Sequence, residues 1–132
     1  MQDRPTALEL LRAVREFLEA DVLPGLEGRR RFHALVAANV LGIVERELAG
    51  EEAQLEAQLA RLAALPGLGA GEQPPALGAL RERVRALETA LAERIRRGEA
   101  DAGPFADAVR AHVRATVVEK LAVSNPRWGS VR

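Results

Sequence analysis

The sequence predicts an all-α protein, a single-domain antiparallel helical bundle of four to five helices over residues 1–132. Three observations carry that expectation. Ala, Leu, Arg and Glu, the strongest helix formers, dominate the composition. Only 3% of the residues are aromatic and tyrosine is absent, so strand-forming side chains other than valine are scarce. Apolar residues recur at intervals of three and four through most of the chain.

The first segment opens on a capping box, Thr6 with Glu9, in which each side chain satisfies an orphan backbone N–H. Leu8, Leu11, Val14, Leu18 and Val22 follow at helical spacing, and Pro24-Gly25 ends the run. The second segment, about 31–49, is expected to stop at Gly50. Between Phe32 and Val44 its only polar residues are His33 and Asn39, a pattern that places a helix at the centre of a core. The third segment, about 51–65, is polar apart from Leu55, Leu59 and Leu62. Residues 66–75 are rich in Gly and Pro and read as a flexible loop. The fourth segment, about 76–97, carries a narrow seam of Leu77, Leu80, Val84, Leu87, Leu91 and Ile95, with Gly98 as its stop. That seam suits the chain's own core or a second copy. The fifth starts near Pro104, buries Phe105, Val109, Val113, Val117 and Leu121, and closes at Ser124-Asn125-Pro126, leaving a tail over 124–132.

Charge and composition narrow the function classes. Lys+Arg and Asp+Glu each total 19, giving zero formal net charge, which is poor support for nucleic-acid binding. Cysteine is absent, which removes disulfides, thiol nucleophiles and cysteine zinc sites and fits a reducing cytoplasm. The opening Met1-Gln2-Asp3-Arg4-Pro5 lacks the apolar core of a signal peptide. The longest nearly apolar stretch, Leu35 to Val44, is about half of a membrane span. A cytoplasmic protein that does not enter a membrane is expected.

Few residues carry chemistry. Di-iron bundles place a Glu three residues before a His, but Arg30 and Val109 stand three before His33 and His112. No metal and no cofactor is expected. Gly67, Gly69 and Gly71 lack the preceding strand that a phosphate loop needs. An imidazole is the side chain best suited to general-base work near neutrality, yet no spacing pairs either histidine with a hydroxyl nucleophile. Arg29-Arg30-Arg31 is more informative, because cations at a helix N-terminus oppose the helix dipole. An anion there would reverse the sign, so Arg29, Arg30, Arg31, His33 and Asn39 form a candidate phosphate or carboxylate site. The alternative is a solvated turn, or arginines paired with acidic residues of another helix. Asn39 and Gly42 share one face of the apolar helix and suit either close helix packing or a small ligand.

Two stretches carry a resemblance. One is Arg31-Phe32-His33-Ala34-Leu35-Val36-Ala37-Ala38-Asn39-Val40-Leu41 followed by Glu45-Arg46-Glu47-Leu48; the other runs from Thr116 to Asn125-Pro126-Arg127-Trp128. With Pro5-Thr6-Ala7-Leu8-Glu9-Leu10-Leu11, they resemble a bacterial helical family that carries only a domain-of-unknown-function label. The resemblance covers nearly the whole chain. Members of that family are often encoded beside aminoglycoside-phosphotransferase-like kinases and acyl-CoA dehydrogenases. The resemblance therefore implies an accessory subunit for such an enzyme, and it assigns no reaction and no site residues.

The functional expectation is a non-catalytic accessory or interaction protein. The alternative is a helical bundle that binds an anionic small molecule such as a phosphate or CoA ester. An enzyme is the least supported class, and a homodimer remains open. For Arg127 and Trp128 the first expectation is a tail folded back to bury the indole. The second makes both residues exposed anchors for a partner.

Overall fold

The computed structural model describes residues 4–69, 71–72, 74 and 76–130. Among them are four α-helices and no strand, so the chain is all-α. None of these helices is long and apolar enough to cross a membrane. Ala70, Gln73 and Pro75 of the predicted loop, and Val131 and Arg132 of the predicted tail, lie outside the described residues.

Helix α1 (Ala7–Phe17) starts at the predicted capping box: Thr6 N–H donates to Glu9 Oε2 at 2.7 Å and Glu9 N–H to Thr6 Oγ1 at 3.2 Å. A π-turn over Leu18–Val22 and a 3-10 turn over Leu23–Gly25 carry the chain on to the predicted Pro24-Gly25 end. Helix α2 (Gly28–Ala64) joins the predicted second and third segments into one run of 37 residues, so Gly50 is not a stop. A glycine ends a helix by turning to a left-handed φ, and Gly50 is not among the positive-φ glycines. It is flanked by Leu48, Ala49, Glu51 and Ala53 with no proline. One interior glycine costs about 1 kcal/mol, too little to break that run.

Helix α3 (Leu77–Arg96) ends as predicted at Gly98, whose φ is +82°. Gly98 N–H donates to Ile95 O at 2.9 Å and Glu99 N–H to Arg94 O at 3.2 Å, the paired bonds of a Schellman motif. Helix α4 (Gly103–Ser124) closes before Asn125-Pro126, and a 3-10 turn covers Pro126–Ser130.

The residues group into two compact units, Met1–Gly50 with Val123–Asn125, and Glu51–Ala122 with Pro126–Arg132. The second unit holds the main apolar core. Leu59 and Leu62 of α2 and Leu65 just after it meet Leu80, Val84, Leu87 and Leu91 of α3 and Val109 of α4. The α3 seam from Leu80 to Leu91 thus faces its own chain, whereas Ile95 at its end is 40% exposed, contrary to the expectation. Val113 and Val117 do not join it: both are about half exposed, contrary to the expectation. The series 105, 109, 113, 117 has a strict interval of four, which drifts about 40° per step around a helix. The inward line instead mixes threes and fours and passes through Val109, His112, Thr116 and Glu119.

In the first unit, α1 faces the side of α2 that carries Gly42 and Glu45. Arg15 on α1 grips Glu45 through Nε at 2.7 Å and Nη2 at 3.3 Å, and also reaches Glu19 at 2.9 Å. Arg12 lies 3.8 Å from Glu45. These cations, the Arg15 hydrogen bond above all, hold the Glu45 carboxyl below its ordinary pKa against the opposing effect of burial. Arg46 Nε donates to Val123 O at 2.7 Å. The expectation that 32–44 forms the centre of a core is overturned within this chain. Phe32 is 63% exposed, Val36 45% and Val40 50%, because only one side of α2 here meets another helix of its unit.

Candidate interaction surface

The first unit turns two apolar stripes outward. On α1 and its π-turn, Leu10, Ala13, Val14, Phe17 and Ala20 are all exposed, at the spacing of one helix face. The helix buries no residue at all. On α2, Phe32, Val36 and Val40 stand at intervals of four, with Leu35 and Leu48 also exposed. Isolated exposed apolar side chains are ordinary, whereas contiguous runs mark association surfaces. Sequence reasoning assigned the α2 residues between Phe32 and Val44 to the core and named only Val14 of the α1 stripe, because periodicity records that a face is buried and not which molecule buries it.

A layer of polar side chains runs through the second unit. Gln58 Nε2 donates to Glu88 Oε1 at 2.5 Å, joining α2 to α3. Arg61 forms two bonds to Glu119, at 2.7 and 2.6 Å, joining α2 to α4. His112 is 6% exposed, and its Nδ1 and Arg61 Nε are buried without a hydrogen-bond partner. Burial pushes the His112 pKa down, and the Arg61 charge adds to that effect while Glu88 and Glu119 oppose it. Burial thus favours the neutral imidazole. A pocket of 180 Å³ opens beside it, walled by Leu91, Ala92, Ile95, Val113, Thr116 and Glu88. That is below the roughly 300 Å³ at which small-molecule pockets usually begin. Thr116 Oγ1 is committed to the His112 carbonyl at 3.0 Å, so the layer arms no hydroxyl nucleophile. Sequence reasoning weighed His112 as a base and Thr116 only as one of several hydroxyls, with no spacing to pair them. The polar intervals Gln58–Arg61 and His112–Thr116–Glu119 beside apolar stripes were the signal for the rest.

The predicted anion-site residues lie on the first turns of α2. Arg29, Arg30, Arg31, His33 and Asn39 are all exposed, and His33 stands edge-on to Phe32 with ring centroids 5.9 Å apart. Gly42 is buried, and a Cβ there would meet Arg46 Nη1 at 3.3 Å and Arg15 Cδ at 3.6 Å, so an arginine stem from α1 makes the close approach. Arg127 is exposed and Trp128 is 66% exposed, so the tail does not bury the indole as first expected. The glycine loop is held by arginines of α3, with Arg94 Nη1 on Pro66 O at 2.5 Å and Arg83 Nη2 on Gly69 O at 3.2 Å. Arg94 also lies 4.0 Å from the centroid of the Phe105 ring. Among the described residues no group of His, Asp and Glu is arranged to hold a metal.

Comparison with known proteins bears on the family. A model described as a domain of unknown function, DUF6285, matches residues 24–128. The chain belongs to the DUF6285 family. No curated protein and no solved structure matches it. The DUF6285 match contains all of α2, α3 and α4, and so includes the outward α2 stripe, the polar layer and Trp128. Helix α1, with its own apolar stripe, precedes the matched region.

Proposed function

We propose that this DUF6285 protein is a non-catalytic accessory subunit that works by binding another protein through apolar helix faces of its first unit. One observation carries the reading: α1 and its π-turn set a five-position apolar stripe, Leu10 to Ala20, wholly on the outside. Such a face fits a helix or apolar groove of a partner, anchored by the Phe17 ring. The partner class comes from the family resemblance, an aminoglycoside-phosphotransferase-like kinase or an acyl-CoA dehydrogenase, in a bacterial cytoplasm. The polar layer supports the reading from the other side, since Gln58 bonds to Glu88, Arg61 bonds to Glu119 and the Thr116 hydroxyl is engaged.

Co-expression with each of those two enzymes, followed by native mass spectrometry, tests the proposal. A stoichiometric complex is expected with one of them. Phe17→Glu should weaken that complex at least about tenfold, the loss of a buried aromatic anchor, without lowering the melting temperature of the free chain. A complex with neither enzyme, or one indifferent to Phe17→Glu, would sink it.

A further inference from the structure

The outward stripe on α2 carries opposite charges at its two ends. Arg29, Phe32, Val36, Val40, Ile43 and Glu47 follow at intervals of three and four, which holds them on one face over about 27 Å of axis. All are exposed except Ile43, which is half-buried. A cation opens the stripe, an anion closes it, and four apolar side chains lie between. Among the described residues neither Arg29 nor Glu47 makes an ion pair.

We propose that a second copy of this chain lies antiparallel on the α2 stripe, about a twofold axis that crosses the helix at the level of Ala38. The proposal rests on reading the chain as an interaction protein and names the first occupant of its surface. In that register Val36 of each copy meets Val40 of the other, and Phe32 meets Ile43. Arg29 of each copy faces Glu47 of the other, and the twofold makes every contact twice. Charge complementarity selects this occupant and this direction, since a parallel pair would set Arg29 against Arg29. It also answers an electrostatic cost visible within the chain. The arginines at the start of α2 oppose its dipole, and Glu47 of the second copy supplies the missing anion.

An isologous contact is closed at two copies, which leaves the α1 stripe for a different partner.

Sedimentation equilibrium of the full chain should return twice the 14.3 kDa mass. Arg29→Glu should weaken self-association about tenfold, because two like-charge contacts replace two ion pairs. Adding Glu47→Arg to that variant should restore the dimer, a rescue that no unrelated occupant would produce. Val40→Glu should yield a monomer with unchanged helical circular dichroism. A wild-type chain that stays monomeric overturns the proposal, as does a dimer that ignores both Arg29→Glu and Val40→Glu. Weakening without rescue overturns the antiparallel register. A monomer that still binds one of the two enzymes overturns this pairing alone. A charge-rescued dimer that binds neither overturns the accessory reading alone.

Discussion

His112 illustrates how a single residue ties composition to stability. It occupies a position on the inward line of α4 where an apolar residue would ordinarily stand, with Arg61, Glu88 and Glu119 as the charged groups around it. Its pKa is lowered from the ordinary 6.5 by burial first and by Arg61 second. A group whose folded pKa is depressed binds more protons when unfolded. Its contribution is thus complete above 6.5 and is lost as the pH falls through the lowered folded value. The expected outcome is a melting temperature that declines between about pH 7 and pH 5. His112→Gln should flatten that decline, measured by thermal melts in the two variants. Glu45 and Glu51, both lowered by hydrogen bonds from arginines, act in a separate window. Their contribution fades only below the ordinary carboxylate value of 4.5. A decline between pH 7 and 5 that survives His112→Gln would contradict this account.

The helices differ in how firmly their ends are specified. The end of α3 is fixed by one residue, Gly98, at φ +82° with Asp101 Oδ2 3.0 Å from where a Cβ would stand. Gly98→Ala therefore forces a left-handed alanine and a shifted carboxylate, and is expected to cost about 1–2 kcal/mol in denaturant melts. Gly78, in the first turn of the same helix, has open space around its Cβ direction and no positive φ. Gly78→Ala should stabilise by about 0.5–1 kcal/mol. Opposite signs for two Gly→Ala changes in one helix separate backbone conformation from side-chain bulk. The sequence located the Gly98 stop because the apolar seam ended there. Gly50 misled for want of such a change: good helix formers continue on both sides, and a glycine with helical φ leaves no mark in composition.

At the scale of the whole molecule, apolar burial is unevenly shared. The second unit collects eight buried apolar side chains in one cluster, while α1 in the first unit buries none and is held to its unit by Arg15 and the side chains facing α2. Local opening free energies follow burial and contact density. Hydrogen exchange on the full chain should show the amides of α3 between Leu80 and Leu91 exchanging slowest and those of α1 fastest. Equal protection across α1 and α3 in the dilute free chain would mean that α1 is covered by something beyond its own unit. The uneven burial also gives the interaction reading its physical sense. A chain with this many apolar side chains outside its core has free energy of burial still to gain from association.

The sequence by itself determined the helical class, the α1 capping box, the Gly98 stop, the α4 close before Pro126, and the inward α3 seam from Leu80 to Leu91. Each of these depends on local backbone chemistry or on periodicity along one helix, and both are written in consecutive residues. Only the tertiary structure decided that residues 28–64 are a single helix, and that the most apolar stretch of the chain, from Phe32 to Val44, lies largely on the outside. It also placed Gln58, Arg61, Glu88, His112 and Glu119 together and left Trp128 uncovered. Residues far apart in sequence meet only through packing, and an apolar face is written identically whether its cover is the same chain or another molecule.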